Sequence, residues 1–166
     1  MPTPEFILRL REKVGQEELW LTGVTAVVLR GEINADGVDE RETLLVKRSD
    51  NGKWTPVAGI LEPGEEPAVA AEREVLEEAS IVAHVESLAW VHTLEPVVYQ
   101  NGDVSRYLEL VFRCSWVSGD PTPGDDEATE AGWFRLSELP ALELADHVDR
   151  IAVAAAGEAA ARFERS

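Results

Sequence analysis

The stretch from Gly59 to Ile81 limits what this chain can fold into more than any other part of it. Its first half, Gly59-Ile-Leu-Glu-Pro-Gly64, is turn-forming in composition. Its second half reads as a helix from about Pro67 to Ala79, with proline in the first turn, where no amide is needed. At about 100° per residue, Glu74 and Glu78 stack one turn apart and Glu77 flanks them on the same face. Ala68, Ala71, Val75 and Ala79 form an apolar stripe beside that face, so one side can pack on a sheet while its neighbour stays polar. Carboxylates this close raise one another's pKa unless a cation lies between them. Hard divalent cations such as Mg²⁺ prefer oxygen ligands of this kind. An acidic helix face is more often simply solvated, however, and this chain has 32 Asp and Glu residues. Charge alone does not separate a metal site from a wet surface.

Position by position, the segment resembles the Nudix box: Gly, five residues, Glu, seven residues, then Arg-Glu-apolar-x-Glu-Glu-x-Gly-apolar. Gly59, Glu65, Arg73, Glu74, Val75, Glu77, Glu78 and Ile81 all fall in register. Ser80 stands where the family has glycine. Glycine just after a helix usually closes it in the left-handed conformation, so serine there is expected to affect stability more than chemistry. Before the box, Trp54-Thr-Pro-Val-Ala58-Gly59 is similar to the family's aromatic-then-turn approach. After it, Glu127-x-x-Glu130-x-x-Trp133-Phe134 resembles the acidic loop that leads into a final core strand. The resemblance covers about residues 20–140 and implies an α/β/α sandwich with a central mixed sheet.

The activity implied is hydrolysis of a diphosphate linkage by water, dependent on Mg²⁺ with Mn²⁺ as a substitute. The resemblance makes Glu74 and Glu78 the principal metal ligands and Glu77 a further one, direct or through water. The backbone carbonyl of Ala58, held by a turn at Gly59, matches the family's main-chain ligand. Arg73 would fix Glu65 or Glu77 through its bidentate fork. Glu127 is the candidate extra ligand or general base, with Asp125 and Asp126 as competitors on the same loop and Glu74 as the alternative base. Trp54 could stack a nucleotide base or anchor the turn, and Tyr99 is a second candidate substrate contact.

Substrate cues conflict. Pro96 stands where the family's ADP-ribose hydrolases carry a proline, and Tyr99 where its diadenosine polyphosphate hydrolases carry a tyrosine. Ala58-Gly59 in place of Pro-Gly-Gly favours nucleoside diphosphate sugars, with ADP-ribose first. Nucleoside triphosphates come second and dinucleoside polyphosphates third. A non-catalytic nucleotide-binding module is the reading from another class. Such modules lose box carboxylates, and none is lost here.

Composition narrows the partners. A net charge of −17 opposes nucleic acid and anionic membranes. A small polyanion carrying a divalent cation escapes that objection. The single cysteine, Cys114, excludes an intrachain disulfide. It sits on the apolar side of Leu108-x-Leu110-x-Phe112-x-Cys114-x-Trp116 and is expected to be buried. The N-terminus has no apolar stretch of signal-peptide length, which makes the cytoplasm the default. With 166 residues, one domain spanning 1–166 is expected, and a homodimer is compatible with it.

Helices are expected at 5–14, with Phe6, Leu10 and Val14 on the inner face, and from Asp146 to Arg162, where alanine dominates. Strands are expected near 20–30, 43–47, 81–93, 105–117 and 133–135, with a tight turn at Asn51-Gly52. A loop should span 120–132, followed by a turn or short helix from Leu136. Trp90, Trp116 and Trp133 are expected in the core. His84, His92 and His147 lack ligand spacing and should be structural or surface residues, and Arg106 and Arg113 should sit at strand edges.

Overall fold

The computed structural model describes residues 3–141, 143–144 and 148–166. Asp146 and His147 lie outside them. At the centre is β1 (Leu19–Arg30), a run rich in Val and Thr that is buried on both faces. It pairs in parallel with β7 (Val104–Ser118), from Leu19↔Ser105 to Leu29↔Ser115. On its other side it pairs antiparallel with β2 (Glu42–Arg48) and β4 (Val57–Ile60). β5 (Val82–Thr93) runs antiparallel to β7. Shorter strands complete the mixed sheet: β3 (Trp54–Thr55) and β8 (Ala128–Arg135) on β2, β6 (Val97–Val98) on β7, and β9 (Arg162–Phe163) on β5.

Alternation along β1 sends its side chains to two cores. Val24, Ala26 and Val28 meet Leu44, Val57, Phe112 and Cys114 under α2 (Pro67–Ala79), which contributes Ala70, Ala71, Val75 and Ala79. Val27 and Leu29 meet Leu45, Trp90 and Val111 under α3 (Val148–Ala156), which contributes Ile151 and Ala154. The result is the α/β/α sandwich with a mixed sheet. Cys114 is buried as a free thiol.

Several local expectations are corrected. Helix α1 (Glu5–Val14) buries Ile7, while Leu10 and Val14 face solvent. The inner stripe is therefore rotated by one residue and continues through Arg11, which donates to the carbonyls of Glu17 and Val104. Gly59 is not a turn residue but lies in β4, and the turn falls at Gly64, with φ +82°. β8 begins at Ala128, several residues earlier than expected. α3 stops at Ala156 despite the alanines beyond it, because Gly157 adopts φ +67° and two arginines seal the end. Arg41 Nη1 donates to Ala155 O at 2.9 Å and Arg113 Nη1 to Ala154 O at 3.0 Å. Trp116 is 40% exposed rather than core, with its indole N–H donating to Gly119 O.

Ser80 closes α2 in the left-handed conformation, φ 57° and ψ 28°, with its N–H donating to Leu76 O at 3.1 Å. It is the only non-glycine residue with positive φ among the described residues. Ser80→Gly should therefore stabilise the protein by about 0.5–1 kcal/mol in urea unfolding, with little change in any hydrolytic rate. A loss of stability, or a large gain in rate, would contradict a purely conformational role.

Candidate active site

The site begins where β4 passes α2. The Glu74 carboxylate lies directly against Gly59: a Cβ built there would fall 2.1 Å from Glu74 Cδ and 2.3 Å from its Oε1. Glu74 is fully buried, so it has nowhere to retreat. The box glycine is thus required for space rather than for a special φ.

Arg73 ties the acidic residues together. Its Nε and Nη2 donate to Glu65 Oε1 and Oε2 at 2.7 and 3.0 Å, a bidentate pair. Its Nη1 also donates to Glu74 Oε1 at 2.8 Å and to Glu77 Oε2 at 3.1 Å. These bonds hold the Glu65 carboxyl below the usual range. For Glu74, burial is the larger influence. It pushes the carboxyl up to about 7 against the opposing pull of Arg73. Glu78 is also buried, and that burial, with repulsion from Glu74 and Asp125, raises it to about 8. Glu77 is 44% exposed and points to Arg73 rather than to its two neighbours.

An open cleft of about 270 Å³ lies beside this helix. Its lining includes Ala58 from β4, Glu78 from α2 and Glu127 just before β8, together with Arg48, Asp50 and Thr55. Glu74 sits behind this wall. The segment bearing Glu127 is tightly placed: Gly124 N donates to Glu78 O at 3.0 Å, and a Cβ on Gly124 would come within 1.9 Å of Glu77 O. Ser49 N donates to Glu127 O at 2.8 Å, and Asp125 Oδ1 accepts from Glu127 N at 3.0 Å. The backbone of Glu127 is therefore anchored beside the helix.

The two suggested substrate contacts fare differently from the carboxylates. Trp54 is turned away from the cleft, packing edge-on against Phe134 at 4.7 Å within the core under α3. Its neighbours Thr55 and Pro56 line the cleft instead. Tyr99 is outside the lining, on the β6–β7 hairpin, where its hydroxyl meets that of Tyr107 at 2.5 Å. Arg106 pairs with Glu18 at 2.6 Å and Arg113 seals α3, so neither enters the cleft. Arg48 does enter it, and sequence reasoning overlooked it. The available signal was the strand period: Leu44 and Val46 face α2, so Arg48 emerges on that same face.

Comparison with known proteins agrees with this geometry. The NUDIX domain family model matches residues 21–155, and the chain belongs to the Nudix family, hydrolases acting on pyrophosphate bonds. It is 33% identical over 127 residues to a MutT-like protein of Streptomyces ambofaciens, covering 70% of this chain and 77% of that one. It is 34% identical over 120 residues to an ADP-ribose pyrophosphatase of Methanocaldococcus jannaschii, covering 69% and 68%. A NUDIX hydrolase of Nitrosomonas europaea superposes with a TM-score of 0.64 at 29% identity, covering 84% of this chain and 90% of that one. The chain spans only 36% of the length of a matching NAD-capped RNA hydrolase of Pseudomonas aeruginosa. No helix among the described residues is long and apolar enough to cross a membrane.

Nudix hydrolases need a divalent metal. Among the described residues, no three Asp, Glu, His or Cys side chains stand as a preassembled ligand set, and Glu74 and Glu77 are bonded to Arg73. The donors nevertheless fit a hard cation. Glu74 Oε2 is buried without a hydrogen-bond partner, and Ala58, Glu78 and Glu127 open on one cleft. Mg²⁺ keeps several waters and needs only one or two carboxylates.

The two raised carboxyls give a testable pH dependence. In the metal-free protein they bind protons up to about pH 7 and 8, whereas unfolded carboxyls release theirs near 4.5. Across that interval the native state binds more protons, so stability falls as pH rises and levels off above about pH 8. Melting in EDTA should thus show a higher Tm at pH 5.5 than at pH 8.5, and saturating Mg²⁺ should flatten the difference. A Tm in EDTA that is flat or rising over this range would contradict the desolvated pair.

Proposed function

We propose that the chain hydrolyses the diphosphate linkage of nucleoside diphosphate sugars, ADP-ribose first, with Mg²⁺ as its cation and Mn²⁺ as a substitute. The observation that carries this is the meeting of Ala58, Glu78 and Glu127, from three separate segments, at one cleft in front of buried Glu74. Glu74, Glu78 and the Ala58 carbonyl would hold the cation, with Glu77 contributing through water. When bound, the cation neutralises phosphate charge and acidifies water.

The remaining work falls to side chains. Arg73 fixes the Glu74 and Glu65 carboxylates so that the acidic wall does not collapse. Burial of Glu74 and Glu78 keeps water from screening their charge. Glu127, at the exposed edge, accepts the proton of the attacking water. Attack at phosphorus breaks its bond to the bridging oxygen, so ADP-ribose and water become AMP and ribose 5-phosphate. We read residues 1–166 as one Nudix unit. A nucleotide substrate and a lone free cysteine fit a cytoplasmic enzyme.

The test is product analysis over a panel with Mg²⁺: ADP-ribose, UDP-glucose, nucleoside triphosphates and diadenosine tetraphosphate. The expected result is the highest kcat/KM on ADP-ribose. A triphosphate ranking first would move the assignment to a MutT-like activity, and diadenosine tetraphosphate first would support the dinucleoside alternative. No turnover of any substrate would leave a binding module.

A further inference from the structure

We infer that Arg48 is the phosphate clamp of the cleft and that Asp50 occupies its guanidinium until substrate displaces it. The ligand's identity rests on the diphosphate reading above. Arg48 closes β2 on the face that Val46 buries toward α2, so its side chain enters the cleft. Among the described residues lining that cleft it is the only cation, against Asp50, Glu78 and Glu127. A divalent cation held by the carboxylates meets one side of a diphosphate. The remaining phosphate charge needs a cationic partner, and among the described residues of the lining Arg48 is the one available.

The bonds Arg48 already makes show how it would bind. Its Nε donates to Asp50 Oδ1 at 2.8 Å and its Nη2 to Asp50 Oδ2 at 2.6 Å. Two parallel bonds from one guanidinium fork are also the way arginine grips two oxygens of a phosphate. The Asp50 carboxylate therefore stands where a phosphate oxygen pair would sit. The side chains of Arg48 and Asp50 are 45% and 58% exposed, and an ion pair that wet contributes little. A phosphate, with more charge and the same bite, displaces the carboxylate. Asp50 then turns to solvent from its place beside the Asn51-Gly52 turn. The exchange keeps the cation aligned in the free protein and sets a threshold on anion affinity.

The probe is inorganic pyrophosphate with Mg²⁺, titrated calorimetrically into the full chain and its variants. Arg48→Ala should weaken binding at least tenfold, and Arg48→Lys, which keeps charge but loses the fork, should fall between it and wild type. Asp50→Asn should tighten binding severalfold. The double variant Arg48→Ala/Asp50→Asn should bind like Arg48→Ala alone, because Asp50 acts only through Arg48. For ADP-ribose turnover, KM should move in the same directions by more than kcat does. Unchanged pyrophosphate affinity in Arg48→Ala, weaker binding in Asp50→Asn, or no binding by wild type would each overturn the clamp. If this pattern holds but no nucleotide is hydrolysed, the clamp stands and the hydrolase reading falls. Hydrolysis of ADP-ribose with an inert Arg48 would sink the clamp alone.

Discussion

Glu78→Gln should lower kcat/KM on the proposed substrate, ADP-ribose, by about a thousandfold, the several kcal/mol that a charge-neutralising cation contributes to hydrolysis at phosphorus. The substitution is nearly isosteric, and the backbone bond from Gly124 N to Glu78 O does not involve the side chain. What it removes is a buried negative charge whose neighbours, Glu74 and Asp125, are also acidic. In EDTA near pH 8 the variant should therefore melt at the same temperature as wild type or above it, through relief of like-charge repulsion. Loss of activity together with gain of metal-free stability is the signature of a ligand carried at a structural cost. An unchanged rate would show that the acidic face of α2 is only a solvated surface.

Glu127→Gln should lower kcat by about a hundredfold or more with little effect on KM, as expected when a proton acceptor is lost in the transition state. The acidic limb of the pH–rate profile should disappear with it. Asp126→Asn should be mild, since Asp126 is exposed and outside the cleft lining. Asp125→Asn should also be mild, because an amide oxygen can still accept the Glu127 N–H. Equal tolerance of all three substitutions would move the base to the box helix, with Glu74 first in line.

What was legible in the sequence was whatever short-range rules decide. Pro67 and Ser80 bound α2 because a first-turn proline and a left-handed cap are local devices, and its buried stripe follows from period alone. Gly59 was misjudged because its role is a contact with Glu74, which only the packing of β4 on α2 creates. Trp54 stayed open between stacking a base and anchoring the turn, because an aromatic before the box serves either role in a sequence. Its direction depends on the pairing of β3 with β2, which turns it to the far core.

Glu109 was passed over for a related reason. In Leu108-x-Leu110-x-Phe112 it alternates with apolar residues and reads as solvent-facing. The far side of this sheet is covered by α3, however, and Glu109 is buried there with Thr25, Arg150 and His92. Burial is the largest single influence on its carboxyl and pushes it up. Thr25, Arg150 and His92 outweigh it and hold the group below its usual value. A pattern argument sees one strand at a time, whereas burial on two faces is a property of the assembled layers.

The proposed hydrolysis depends on a cation held by the buried Glu74–Glu78 pair. The direct test is one Mg²⁺ titration starting from EDTA-treated protein, read in parallel by Tm and by AMP release from ADP-ribose, for wild type and Glu78→Gln. The predicted result is that wild type gains Tm and activity over the same range of Mg²⁺ concentration, while Glu78→Gln gains neither. Full activity in EDTA, or a Tm rise that survives in Glu78→Gln undiminished, would contradict it.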